Sequence, residues 1–307
     1  MELIKKTSID FLGKRKISFG VSLLLSAMGL ICVVMIITGK ANMGIDFAGG
    51  ASANLVFQKP IQVEAARRAL DAVGIRDAEI QSFTDGSKLL VRVKKTDIPI
   101  TQVVDKIKEA FVKAMPDNPV TIDSSAAIGP TVGKALQKDA FWAIVLSFLG
   151  IIIYIWIRFE FKFGLAATVA TFHDVLAVMG IFWLMHKEIT LLVVTALLTL
   201  AGYSLTDTVV VFDRIRENIP RHKTEPYEKV VNRSILETLH RSLATQLNAM
   251  FVMIAIILFG GTTIKPFIAT MLVGMLSETY SSIFVAVPLL VVWEKAAARR
   301  AIAHATA

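Results

Sequence analysis

Ile189-Thr190-Leu191-Leu192-Val193-Val194-Thr195-Ala196-Leu197-Leu198-Thr199-Leu200-Ala201-Gly202-Tyr203-Ser204-Leu205-Thr206-Asp207-Thr208-Val209-Val210-Val211-Phe212 is long and apolar enough to cross a bilayer, yet it carries a carboxylate. About 20 apolar residues span the ~30 Å of hydrocarbon. A charge inside such a helix costs about 2.5–3.5 kcal/mol on insertion scales, so it needs a partner or a wet path. Thr195, Thr199, Tyr203 and Asp207 recur every four residues, which places one polar stripe down a single helical face. Val209 to Phe212 continue the apolar run beyond Asp207, so at ~1.5 Å per residue the carboxylate lies roughly 9 Å in from that end.

Working outward, five more apolar runs appear, and the chain divides into a basic N-terminus (1–16), a first span (17–38), a water-soluble segment (39–137), and further spans at 138–157, 163–184, 189–212, 237–259 and 266–293. A loop (213–236) and a tail (294–307) complete it. Hydrophobic residues make up 54% of the 307, and the mean hydropathy is +0.61. Both point to lipid as the main solvent. The first run is too long for a cleaved signal and reads as an uncleaved anchor.

Orientation follows from the Lys and Arg of the short loops. Arg158, Lys162, Arg214, Arg216, Arg221, Lys223, Lys229, Arg233, Lys295, Arg299 and Arg300 gather on the side of the N-terminal lysines, and the opposite short loops hold only Lys187 and Lys265. Both termini are therefore expected in the cytoplasm and the 39–137 segment outside it. The same asymmetry explains the net charge of +8 and calls for no nucleic acid. A lone Cys32, histidines without metal-ligand spacing and no phosphate loop predict neither metal nor cofactor, and no enzyme.

Within 39–137, strands are predicted at 53–57, 78–83, 88–93 and 120–124 and helices at 61–73 and 99–115, with an Asp85-Gly86 turn. The order β-α-β-β-α-β is that of a ferredoxin-like split βαβ sandwich with one sheet face free, either to add an extended polypeptide strand or to dock a partner domain. The glycines of Gly44-Ile45-Asp46-Phe47-Ala48-Gly49-Gly50 read as a sharp exit from the first span into the sheet.

Other polar groups sit where lipid should be. Arg241, Thr245 and Asn248 form a second stripe, and with a helix starting near Leu236 the depth of Arg241 matches that of Asp207. The two are expected to meet, either as a static ion pair or as a proton site switched by movement of the guanidinium. His173 and Asp174 interrupt the third span, as relay groups or as packing groups. Glu278, beside Ser277, Thr279, Ser281 and Ser282, reads as a neutral carboxyl hydrogen-bonded within the bundle or as an additional proton site.

The glycine motif 44–50, Ile128-Gly129-Pro130-Thr131-Val132-Gly133, the run from Gly202 to Asn218 with its core Leu205-Thr206-Asp207-Thr208, the segment Leu239-His240-Arg241-Ser242, and Tyr280-Ser281-Ser282-Ile283-Phe284 together closely resemble the SecF family over nearly the whole chain. The resemblance implies a six-helix membrane half of an RND-type bundle, with a periplasmic ferredoxin-like domain between the first and second helices, in the bacterial inner membrane. It implies SecD as pairing partner, SecYEG and indirectly SecA as the machinery assisted, unfolded preproteins as cargo, membrane lipids around it, and protons as the coupling ion with no other cofactor. The family's proton-motive pair falls on Asp207 and Arg241, and the carboxylate completing the relay belongs to SecD. Glu278 departs from the pattern, which has a small residue there, so a relay of only two residues is put in doubt. The alternatives are a half-RND exporter of a lipid or small molecule, for which an outer domain with few aromatics leaves little room, and a passive scaffold of the translocon.

Overall fold

Two units divide the chain in the computed structural model, which describes residues 10–83, 86–94 and 98–305. The elements run α1 (Arg15–Ile37), α2 (Ile45–Ala48), β1 (Gly50–Phe57), α3 (Val63–Asp71), β2 (Ala78–Ser82), β3 (Lys88–Val93), α4 (Ile100–Ala114), β4 (Val120–Ile128), α5 (Pro130–Arg158), α6 (Phe161–Leu184), α7 (Leu191–Arg221), α8 (Tyr227–Phe259), α9 (Lys265–Ser281) and α10 (Val287–Ala305). Lys5, Lys6 and Asp85 of the sequence reading lie outside the described residues, as do the side chains of Arg299 and Arg300.

The unit Met43–Trp142 is built on a four-stranded antiparallel sheet ordered β2-β3-β1-β4. Strand alternation creates its core: Ala51, Ala53, Leu55 and Phe57 of β1 point to one face, joined by Leu89, Val91 and Val93 of β3. Against that face lie Ala66, Ala69 and Leu70 of α3 and Val103, Ile107, Ala110 and Phe111 of α4. The rings of Phe57 and Phe111 meet edge-on at 5.2 Å. The glycine motif makes one helical turn, α2, and leaves it through Gly49 at φ 76° and Gly50 at φ 134°. A side chain on Gly50 would collide with the carbonyl oxygen of Val93, so backbone conformation and close approach both demand glycine here. Strands β1 and β4 are longer than expected, because their ends add Gly50, Ala51 and Ser52 and the residues from Ser125 to Ile128, most of them small residues whose side chains give little strand signal but whose backbones pair.

The other unit comprises Met1–Asn42 and Ala143–Ala307. Six helices among the described residues are long and apolar enough to cross a membrane: Leu12–Ile37, Pro130–Arg158, Phe161–Leu184, Leu191–Arg221, Tyr227–Phe259 and Lys265–Ala297. The last is continuous through α9, a π-helical turn at Ser282–Ala286 and α10. That turn precedes Pro288, whose missing N–H and ring a regular α-helix would not accommodate. Its large buried residues include Phe163, Phe212, Ile155, Ile215 and Ile235.

Three expected boundaries are corrected. The segment expected as a loop at 213–236 is helical at both ends. Helix α7 runs to Arg221, supported by ion pairs of Glu217 with Arg214 (2.6 Å) and Arg221 (2.8 Å). Helix α8 begins at Tyr227, directly after Pro226, so the expected start near Leu236 and the depth match built on it do not hold. The tail is helical to Ala305, as its alanines favour. In each case the apolar run ends while backbone hydrogen bonding continues.

Candidate functional site

Asp174 sits in mid-α6 with no exposed surface, and its carboxylate is saturated with donors. The hydroxyls of Ser204 and Ser281 each donate to Oδ2 at 2.7 Å, Ser277 donates to Oδ1 at 2.9 Å, and His173 Nδ1 lies 3.2 Å from Oδ1. A charged carboxylate is an acceptor only, and four donors match its capacity well. The hydroxyls come from α7 and α9, so Asp174 binds three helices together. Thr208 and Ser282 extend the polar interior, their hydroxyl oxygens 3.3 Å apart. On the α1 side, the Tyr280 hydroxyl donates to the Ser18 carbonyl at 2.7 Å and lies 3.1 Å from the Ser22 hydroxyl.

The sequence singled out His173 and Asp174, and the structure brings them together. The serine shell was missed, although Ser204 and Thr208 at i, i+4 and Ser277 and Ser281 at i, i+4 each mark a helical face. Those serines are not the partners of Glu278. Ser277 and Ser281 serve Asp174, and Ser282 donates to the Glu278 backbone carbonyl at 3.0 Å, so the hydroxyls beside Glu278 do not bond its carboxyl.

Asp207 and Arg241 are not brought together. No ion pair joins them among the described residues; Asp207 is half-buried and Arg241 is exposed on the outside of the bundle. The cause is which face each helix turns inward. On α7 the inward face carries Ser204 and Thr208, which leaves Thr195 exposed, Tyr203 52% exposed and Asp207 at the edge. On α8 the inward face carries Ser234, Thr238, Ser242 and Gln246, and Arg241, Thr245 and Asn248 point outward. Thr195, Thr199 and Thr245 return their hydroxyls to their own helices, at 2.9 Å from the carbonyls of Leu191, Thr195 and Arg241. The two polar stripes thus lie on the outer wall of two neighbouring helices, with an acid and a base free to meet something else.

Comparison with known proteins agrees with this architecture. The sequence pattern of the family described as "Protein export membrane protein SecD/SecF, C-terminal" matches residues 106–296. The chain is 44% identical to "Protein translocase subunit SecF" of Thermodesulfovibrio yellowstonii over 96% of its own length and 98% of the relative's. It is 40% identical to the protein of the same name from Calditerrivibrio nitroreducens, over 93% and 94%. Among solved structures it resembles the translocon-associated membrane protein SecDF from Thermus thermophilus, with a TM-score of 0.82 and 31% identity. That match covers 94% of this chain but 39% of the SecDF chain, so this chain spans about two fifths of it. A SecDF in its "super-membrane-facing form" matches with a TM-score of 0.70 and 32% identity, over all of this chain and 41% of that one.

Proposed function

Because the chain belongs to the SecD/SecF protein-export family, we propose that it is the SecF half of a two-part membrane device that uses proton flow to assist protein translocation, and that the outward stripes of α7 and α8 form its working face. The observation that carries this reading is the exposure of Arg241, Thr245 and Asn248 beside Tyr203 and Asp207 on helices that lipid would otherwise surround. A guanidinium against acyl chains is costly, and a second half-bundle bearing an acidic group relieves that cost. SecD is the partner this reading names, since this chain matches only 39% and 41% of the solved SecDF chains.

On this reading Asp207 gains and loses a proton at the seam while Arg241 moves toward or away from it, which biases the two charge states of the carboxyl. Each proton falling through the potential supplies about 2.3 kcal/mol per 100 mV, enough for a few protons to shift a two-state arrangement of helices. The process is coupling and not catalysis, and protons are its only cofactor. On the same reading, which the basic short loops support, both termini lie in the cytoplasm of a bacterial inner-membrane protein and the Met43–Trp142 unit, ferredoxin-like in its strand order, lies in the periplasm. There it acts on unfolded preproteins as they leave SecYEG, after SecA has driven them in.

Asp207→Asn tests the reading, since it removes titration and keeps bulk. Reconstituted with its partner subunit, the variant is expected to assemble normally but lose the part of preprotein release that depends on a proton gradient. Assembly with an unchanged gradient-dependent rate would show that the chain is a passive scaffold.

A further inference from the structure

Glu278 on α9 is a second interior carboxylate, and where Asp174 has a ring of hydroxyl donors Glu278 has the side-chain amide of Gln246. It is 1% exposed, its Oε2 is buried without a hydrogen-bond partner, and no salt bridge reaches it among the described residues. The groups around it come from every helix packed on that side. Asp174 of α6 and Asp207 of α7 both bear on it electrostatically, and from α8 the amide of Gln246 lies within interaction range. Among the described residues no cationic side chain forms an ion pair with it. His173 Nδ1 is committed to Asp174 and its Nε2 is buried without a partner, Tyr280 is bonded to Ser18, and Arg241 is exposed.

Gln246 completes the pattern. It is 6% exposed, and its Oε1, a pure acceptor, is also buried without a partner. Two neighbouring side chains therefore each present an orphaned acceptor oxygen, where the charges of Asp174 and Asp207 also bear. A buried carboxylate with no cation beside it holds a hydrogen in preference to a charge. One hydrogen on Glu278 Oε2 supplies the donor that Gln246 Oε1 lacks, and satisfies both atoms at once.

We propose that Glu278 is a proton-binding site of this subunit, separate from Asp207, in which the neutral carboxyl is hydrogen-bonded to the amide of Gln246 across α8 and α9. Loading takes one proton from water and release returns it to water. The loaded state adds a bond from the carboxyl to Gln246 between the two helices; the unloaded state leaves Oε2 unpaired, with Asp174 and Asp207 bearing on it. The assignment stands whether or not Asp207 exchanges protons at the seam with SecD.

Infrared spectroscopy of the purified complex with its partner subunit, near neutral pH, tests it. A protonated-carboxyl C=O band is expected that shifts in D2O and on 13C-glutamate labelling, disappears in Glu278→Gln and persists in Asp207→Asn. In Gln246→Leu the band is expected to move to higher wavenumber, because the O–H loses its acceptor. Absence of a glutamate-sensitive band in the unaltered complex overturns the proposal, as does its survival in Glu278→Gln. Should Glu278→Gln fail to assemble, Gln246→Leu decides: an unmoved band rules out the acid–amide pair.

Discussion

Gly29 of α1 and Gly180 of α6 face each other backbone to backbone: a Cβ on Gly180 would lie 2.8 Å from the Gly29 amide nitrogen, and one on Gly29 would collide with the Leu176 carbonyl. Helices in lipid gain little from burying apolar surface and associate where small residues let their backbones close up. Gly29→Ala and Gly180→Ala are therefore expected to cost about 1–3 kcal/mol each, the usual range for overpacking, because the obstructing atoms are mostly backbone and cannot swing aside. Gly20→Ala on the same helix is the control, since nothing lies within 4 Å of its Cβ position. Thermal unfolding in detergent separates the three, with Gly20→Ala unchanged.

Asp174 should be the most sensitive polar position in the bundle. Asp174→Ala orphans four donors on α6, α7 and α9 at once and is expected to destabilise by about 3–5 kcal/mol, as removing one partner of a buried charged network does. Ser204→Ala removes one charge-assisted bond and should cost about 1.5–3 kcal/mol. Denaturant titration of the purified protein checks both, and equal effects would mean that the serines do not share the carboxylate.

The Met43–Trp142 unit should fold alone. A fragment of residues 43–129 is expected to be soluble and to unfold cooperatively, because its core is enclosed between the sheet and α3 and α4. Phe111→Ala there should cost about 3–5 kcal/mol, the range for a fully buried aromatic. Gly50→Ala should also destabilise it, through the Val93 carbonyl. Circular dichroism in urea reads both changes.

Disulfide cross-linking can locate the partner's face. Cys32 is the only cysteine, so Cys32→Ser leaves a cysteine-free background. In that background cysteines at Thr195, Tyr203 or Thr245, paired with cysteines on SecD's membrane helices, are expected to cross-link. A cysteine at Ile157, also exposed but on α5, is expected not to. Equal yields from both faces would remove the basis for the α7–α8 seam.

The span pattern and the strand and helix order of the Met43–Trp142 unit were legible because apolar runs, alternation and the Pro and Gly punctuation carry them directly. Helix ends were not. Residues 213–221 and 227–236 are charged, and in a membrane chain charge resembles a loop, whereas here Glu217, Arg214 and Arg221 sustain the helix. At the site, four-residue spacing revealed each polar stripe but not its direction. Tyr203 and Ser204 are one residue apart, about 100° around α7, and only packing against α6 and α9 decides that Ser204 turns in to Asp174 while Tyr203 turns out. The separation of Asp207 from Arg241 has the same origin, since it depends on how two helices rotate against the rest of the bundle.

The polar outer wall of α7 and α8 also bears on how a cell supplies this subunit. A copy inserted without its other half would expose a guanidinium and several hydroxyls to hydrocarbon, the kind of defect that membrane quality-control proteases detect in orphaned polypeptides. Its abundance should then track that of its mate, and overproducing it alone should yield rapid turnover and no accumulation.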